Sequence, residues 1–396
     1  MDTSRDYHLP YLLDQRKSAL ILGPRGSGKS FYLNKIVLTR RYLKIDLLES
    51  DSYKLYLNRP SHIYTEVERQ LSLSPEPLVL FIDEVQLVPS LLNEAHRMIE
   101  NFKEKLSVVL TGSSARKLKK VNANLLAGRA FLIPFYPFMH TEIDFDANFN
   151  KIMQYGTLPQ VFHESLDDMR CQFLKTYTTT YLREEILQES LVRNIEGFSL
   201  FLDLAAQDNG SPVNYSKIGK QVGLSGQAIK EYFQILLDTL IAIRIPAWTT
   251  SIRKQLLSSS KYYFFDNGVL NSLNGEIRSE LKESSFRYGR LFENLVINEI
   301  DRYNKLKNFD YKLYHYRTNH GQEVDLIVQK NPRTVPIAIE IKSAILPEMN
   351  SLSGLKHFSE DFPDCRKIVL CRCKNPYQAE NIEFLPFVEG IREIFS

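Results

Sequence analysis

The chain has 396 residues, 43% of them hydrophobic and 24% charged, and carries a formal net charge of +3. That length admits two or three domains with a sizeable core, and the composition excludes a disordered chain. So small a net charge gives no bulk signature of nucleic-acid binding, and no apolar run approaches the ~18 residues of a membrane-spanning helix.

The polar start, Met1-Asp2-Thr3-Ser4-Arg5-Asp6, lacks the apolar stretch of a secretory signal. A cytoplasmic location without a membrane partner is therefore expected. Cys171, Cys365, Cys371 and Cys373 match no common zinc spacing and read as reduced, structural thiols.

The first clear element is a short apolar run at 18–22, which reads as a buried strand. Gly23-Pro24-Arg25-Gly26-Ser27-Gly28-Lys29-Ser30 follows at once and fits G-x-x-x-x-G-K-[ST]. Helical spacing begins at residue 31 and runs to 38. Strand, glycine-rich turn and helix set backbone N–H groups and the positive helix end around a phosphate chain. ATP and Mg²⁺ are the expected ligands. Gly23, Pro24, Arg25, Gly26, Ser27 and Gly28 would cradle the phosphates. Lys29 would reach the β- and γ-phosphates, and Ser30 would hold Mg²⁺.

Residues 42–47 supply a second strand. Leu78-Val79-Leu80-Phe81-Ile82-Asp83-Glu84 is an apolar strand ending in two carboxylates. Asp83 would organise the Mg²⁺ shell and Glu84 would act as the catalytic base on water. The strand at 106–110 leads into Thr111-Gly112-Ser113-Ser114, where Ser113 is a candidate catalytic sensor of the γ-phosphate. Ser114 shares that candidacy, or caps a helix at Ala115-Arg116-Lys117-Leu118. A fifth strand lies at 130–133. Five strands separated by helical segments predict a doubly wound parallel α/β sheet. Arg116 and Arg129 are each either a structural arginine or an arginine finger, acting in cis or across a subunit boundary.

Gly23 to Ser30, Ile82-Asp83-Glu84-Val85-Gln86, Leu110-Thr111-Gly112-Ser113-Ser114 and Leu126-Ala127-Gly128-Arg129-Ala130 together resemble the prokaryotic AAA-type ATPases, AAA family 14 in particular, that carry a C-terminal domain of unassigned function. Tyr155-Gly156-Thr157-Leu158-Pro159, Tyr181-Leu182-Arg183-Glu184-Glu185-Ile186 and Phe264-Phe265-Asp266-Asn267-Gly268 are similar to that group too. The resemblance implies ATP binding, ATP hydrolysis and a homo-oligomer, and it supplies no substrate.

The segment 138–188 reads as largely helical, punctuated by Pro134, Pro137, Gly156 and Pro159, and forms a lid or connector. A helix-turn-helix pattern follows, with helices at 198–206 and 215–222 and a third starting near Ser225. Residues 241–245 and 261–265 would make a hairpin wing. Lys217, Lys220, Lys230, Arg253 and Lys254 would attract phosphates, while Glu231 and Asp238 would repel them. The module therefore contacts DNA or serves packing and oligomerisation.

Val324-Asp325-Leu326-Ile327-Val328 and then Pro336-Ile337-Ala338-Ile339-Glu340-Ile341-Lys342 put one carboxylate in a strand and an E-x-K triplet at the end of the next. Glu340 and Lys342 share a strand face. An E-x-K triplet by itself says little: Glu280-Leu281-Lys282 is another, in a polar helical setting. This D-then-ExK order resembles the PD-(D/E)xK nucleases of restriction-endonuclease-like fold. The resemblance implies that Asp325 and Glu340 hold Mg²⁺ or Mn²⁺, that Lys342 is catalytic, and that Glu293 on a preceding helix adds a metal ligand. A retained fold that only binds, or a plain Asp325–Lys342 salt bridge, fits the same residues. Arg317 and His320 either contact nucleic acid or are structural.

The expected architecture is an AAA-type core at 1–140, a helical lid at 141–192, a winged-helix-like module at 193–268 and a restriction-endonuclease-like α/β domain at 269–396. Its expected work is nucleotide-controlled binding or cleavage of nucleic acid, with DNA favoured over RNA. The rival is an ATP-dependent switch or assembly factor whose partner is a protein.

Overall fold

β1 (Ser18–Leu22), β2 (Tyr42–Asp46), β3 (Leu78–Asp83), β4 (Leu106–Gly112) and β5 (Ala130–Pro134) form one sheet in the order β2-β3-β4-β1-β5, parallel throughout. In this computed structural model the described residues are 5–114, 126, 128–182, 195–249, 258–318 and 320–396. They divide into two compact units: 5–142 with 238–240, and the rest from 143 to 396.

The sheet is parallel because helices return the chain after each strand, and a parallel sheet needs both faces covered. The central strands show this directly: every residue of β1, β3 and β4 is buried. The chain alternates them with α1 (Leu9–Asp14), α2 (Lys29–Val37), α3 (Ser50–Asn58), α4 (His62–Leu73) and α5 (Leu91–Phe102). On α5 the buried set is Leu91, Leu92, Ala95 and Met98, one stripe of a helical surface. These residues join Ile63 and Val67 of α4 and Leu80, Ile82 and Val108 of the sheet in one apolar cluster. Truncating one of these leucines to alanine costs about 2–5 kcal/mol. The edge strand β5 is different, with Phe131 and Leu132 both exposed.

The second unit begins with helices Phe149–Tyr155, Pro159–His163 and Asp167–Thr176. Helices Ile195–Gln207, Tyr215–Val222 and Gly226–Asp238 follow. Ser225 Oγ accepts the Ala228 N–H at 3.1 Å, so the expected N-cap is present. β6 (Ala242–Ile245) and β7 (Lys261–Phe264) then pair antiparallel as a hairpin.

The C-terminal part is a mixed sheet of β8 (Lys312–Arg317), β9 (Glu323–Gln329), β10 (Ile337–Ile341), β11 (Arg366–Cys371), β12 (Tyr377–Ala379) and β13 (Ile382–Pro386), in the order β12-β13-β11-β10-β9-β8. The long helix Phe286–Leu306 supplies Phe292, Leu295 and Val296 to a core shared with Leu326, Ile339 and Ile368. Leu352, Leu355 and Phe358 pack with Ile327, Ala338 and Val369 in a second core. All four cysteines are buried and unbridged.

Backbone bonds fasten the hairpin to the sheet edge. Trp248 N–H donates to the His315 carbonyl at 2.6 Å, and His315 N–H donates to that of Pro246 at 2.9 Å. His315 Nε2 lies 3.0 Å from the Ser259 carbonyl. Trp248, the one tryptophan of the chain, meets Tyr314, Phe358 and Phe362 edge to face.

His315 is 3% exposed, and burial pushes its imidazole down to about 4. Between that value and the ordinary 6.5, the unfolded chain takes a proton that the folded one refuses. Stability is therefore present above the unfolded pKa and falls as pH drops through this interval, by about 3 kcal/mol in all. His315→Gln is expected to flatten the acid loss, read from urea midpoints across the interval. An unchanged pH slope would refute the assignment.

Candidate functional site

The glycine-rich loop leaves β1 at its carboxyl end and enters α2. Gly23 N–H donates to the Gly112 carbonyl at 3.2 Å, and Phe135 N–H donates to that of Leu22 at 2.7 Å. The loop is thus pinned between the exits of β4 and β5. A Cβ on Gly23 would stand 2.0 Å from the Phe135 carbonyl oxygen, so no side chain fits. Gly28 has φ 91°, a left-handed turn that swings the chain into the helix. Lys29 is buried, and its ammonium donates to the carbonyls of Gly23 at 2.8 Å and Pro24 at 3.1 Å. Pro24, Arg25, Gly26 and Ser27 complete the loop, and Ser30 lies in the first turn of α2.

Asp83 and Glu84 sit at the same edge of the sheet. Ile82 pairs with Leu110, so register alone sets Asp83 against Thr111. Thr111 Oγ1 donates to Asp83 Oδ1 and accepts the Glu84 N–H at 2.9 Å. Glu84 is left-handed at φ 58°, an uncommon state for a residue with a Cβ. Its Oε2 accepts from Gln86 Nε2 and from Ser113 Oγ at 3.4 Å. The fold therefore brings Ser113 to Glu84. Ser114 is buried, and the expected helix beyond it, with Arg116, lies outside the described residues.

Sequence reasoning missed the brace behind the loop. Arg5 Nη1 pairs with Glu142 Oε2 at 3.1 Å, and its other nitrogen donates to the carbonyls of Ser27 (3.2 Å) and Tyr136. The guanidinium lies 4.5 Å from the Phe135 ring centre and 4.8 Å from that of Phe138. Tyr7 stacks on Phe135 at 4.5 Å. No local pattern announces a pair separated by 137 residues. Thr111 could have been found, by aligning the two strand ends.

The expected role of Arg129 as a finger in cis is corrected. Ala130 pairs with Ser18, the first residue of β1, whereas the loop follows the last. Arg129 stands at the opposite edge of the sheet, roughly 15 Å away along the strands. Its Nε donates to Glu100 Oε1 at 2.9 Å.

In the second unit, Ile339 pairs with Leu326, and one step along each strand stand Glu340 and Asp325. Asp325 Oδ2 accepts the Ile341 N–H at 2.8 Å. Glu340 lies beside Asp325 on the neighbouring strand, and its Oε2 lies 3.1 Å from Lys342 Nζ. These three expected residues therefore meet. Burial first, then the Asp325 charge, push the Glu340 carboxyl well above the usual range, against the pull of Lys342. Burial would lower the Lys342 ammonium, but Glu340 and Asp325 together hold it above its ordinary value.

Glu293 needs correction. Its Oε1 accepts from Tyr263 Oη at 2.6 Å and lies 3.6 Å from Lys261 Nζ, which also pairs with Glu323 at 2.5 Å. Lys261 comes from β7 of the hairpin and is 2% exposed. Glu293 is held as an ion-pair partner rather than as a third ligand. Among the described residues, no three of His, Cys, Asp and Glu gather where they could hold one metal ion. Asp325 and Glu340 remain as a pair of carboxylates, which suits Mg²⁺ carried in partly by phosphate. Arg317 is half exposed and lies 3.9 Å from Glu323, and His320 is exposed.

Residues 15–144 match the model described as AAA domain. Residues 146–280 match the domain of unknown function DUF8612, and residues 288–389 match the domain of unknown function DUF4143. A protein of Methanocaldococcus jannaschii described as uncharacterized is 22% identical over 388 residues, covering 88% of this chain and 80% of its own. Among solved structures, a Walker-type ATPase of Pyrococcus abyssi is similar at 14% identity and TM-score 0.45, covering 67% of this chain and 93% of its own. The RuvB Holliday junction branch migration motor of Thermotoga maritima is similar at 17% identity and TM-score 0.29, covering 61% and 87%. The chain thus carries a P-loop domain of AAA ATPase type in its N-terminal unit.

The Arg5 brace generates a prediction. Removing one partner of a buried ion pair strands the other, at a cost of about 3–5 kcal/mol. Arg5→Ala should lower the melting transition of the N-terminal unit in calorimetry and weaken nucleotide binding. An unaltered transition would show the pair to be dispensable.

Proposed function

We propose that this chain binds MgATP on residues 23–30 and hydrolyses it. Ser30 and Asp83 present a hydroxyl and a carboxylate, the hard oxygen donors that Mg²⁺ prefers. The ion would neutralise charge between the phosphates. Lys29 would turn from the loop carbonyls to the β- and γ-phosphates, Glu84 would polarise the attacking water, and Ser113 would sense the γ-phosphate. What supports this reading best is the convergence of the loop, Asp83, Glu84 and Ser113 on one edge of the sheet.

Arg129, remote from its own loop, suits a finger offered to a neighbouring copy, which makes a homo-oligomer part of the proposal. The proposed divisions are 1–140 for the ATPase core, 141–192 for the lid, 193–268 for a winged-helix module and 269–396 for a PD-(D/E)xK-like domain. That last domain engages nucleic acid, DNA before RNA, under nucleotide control. Asp325 and Glu340 would hold Mg²⁺ or Mn²⁺, and Lys342 would face the phosphodiester. A second reading has its own support: Lys342 already pairs with Glu340, and Lys261 with Glu293. On that reading the domain binds without cutting, and the chain is an ATP-driven switch acting on a protein partner.

Lys29→Ala is expected to abolish nucleotide binding, and Glu84→Gln to retain bound ATP without turnover. Normal turnover in Glu84→Gln would exclude it as the base. Incubation with plasmid and single-stranded DNA, with Mg²⁺ or Mn²⁺ and with or without ATP, separates the two readings of the C-terminal domain. Metal-dependent cutting that Lys342→Ala removes favours the nuclease. No cutting, with equal DNA affinity in Lys342→Ala, favours the switch.

A further inference from the structure

Gln86 lies on the short turn just past the acid pair and is 4% exposed. Its amide nitrogen donates to Glu84 Oε2 and, at 3.0 Å, to Ser113 Oγ. Ser113 Oγ in turn donates to Glu84 Oε2. The direction of each bond is forced by chemistry. A carboxylate only accepts, so the amide must turn its NH₂ toward Glu84. The two amide hydrogens then serve two acceptors, and the serine keeps its own hydrogen for the carboxylate.

Gln86 Oε1 is buried and meets no donor among the described residues. The surroundings hold the amide in place. A Cβ on Gly112 would stand 2.9 Å from Gln86 Oε1, and Glu84 itself is locked in its left-handed turn by Thr111.

We propose that Gln86 is the positioning residue of the hydrolytic site, tying the Glu84 carboxylate to the Ser113 hydroxyl so that base and γ-phosphate sensor keep one relative geometry. The inference rests on the reading of Glu84 as the base and Ser113 as the sensor. A change in what Ser113 touches then reaches Glu84 through one amide, without movement of the strands. The role proposed for Gln86 runs through its two partners, Glu84 and Ser113.

The test is steady-state ATP turnover with a parallel measurement of affinity for a nonhydrolysable ATP analogue. Gln86→Ala should lower kcat about 10- to 100-fold, the scale of a slightly misplaced catalytic group. KM and analogue affinity should stay within about a factor of two, because ground-state binding is untouched. Gln86→Glu keeps the shape but replaces the donor by a second carboxylate, and should be at least as damaging. Gln86→Ala combined with Ser113→Ala should fall no further than the worse single variant, since both break one unit.

Full kcat in Gln86→Ala, or losses that multiply in the double variant, would overturn the proposal. So would a parallel fall in analogue affinity, which marks a merely structural residue. An inactive wild-type chain, or normal turnover in Glu84→Gln, would remove the reading underneath. Active wild type, inactive Glu84→Gln and fully active Gln86→Ala would remove this inference alone.

Discussion

Parallel strands share a direction, so their carboxyl ends share an edge, and the N-terminal unit is built on that constraint. β1 releases the phosphate loop there, β3 the acid pair, and β4 the Thr111 and Ser113 hydroxyls. None of these groups is near the others in sequence. Hydrogen-bonded register brings them together: Ile82 against Leu110, and Leu22 against Gly112. A one-residue slip of β3 would turn every one of its side chains to the other face. Such a slip would also take Asp83 away from Thr111, so the register that packs Leu80, Phe81 and Val108 is also what aims Asp83.

Buried charge follows one rule in both units: each charged group has an opposite or a hydrogen-bonding neighbour. Arg5 and Glu142 close the chain start over the exit of β5 and hold the Ser27 carbonyl of the loop from behind. Lys261 and Lys342 face four acidic groups, Glu293, Glu323, Asp325 and Glu340. Burial first, and then the charge of Asp325, drives the Glu293 and Glu340 carboxyls of that second set upward.

Much of this was legible in sequence where the signal is local. The central strands β1, β3 and β4 fall where apolar runs predict them, because a buried parallel strand needs continuous apolar residues, while the outer strands β2 and β5 keep exposed positions. Glycine spacing marks the loop because geometry admits no substitute at Gly23. Strand alternation put Glu340 and Lys342 on one face, and the resemblance to PD-(D/E)xK nucleases set Asp325 with them. Four things were not legible. Arg5 with Glu142 and Lys261 with Glu293 are tertiary pairs across long stretches of chain. The position of Arg129 needed the pairing of β5 with β1, since only strand order tells which edge a residue before a strand occupies. Gln86 carries an unremarkable side chain, and its role appears only when Ser113 is placed beside it.

The placement of Trp248 against Tyr314, Phe358 and Phe362 has a practical consequence. No other indole exists in the chain, and this one belongs to the second unit. Its emission is a private optical reporter of that unit and silent toward melting of the P-loop half. Fluorescence and a probe that sees every helix should therefore diverge wherever the two halves come apart separately.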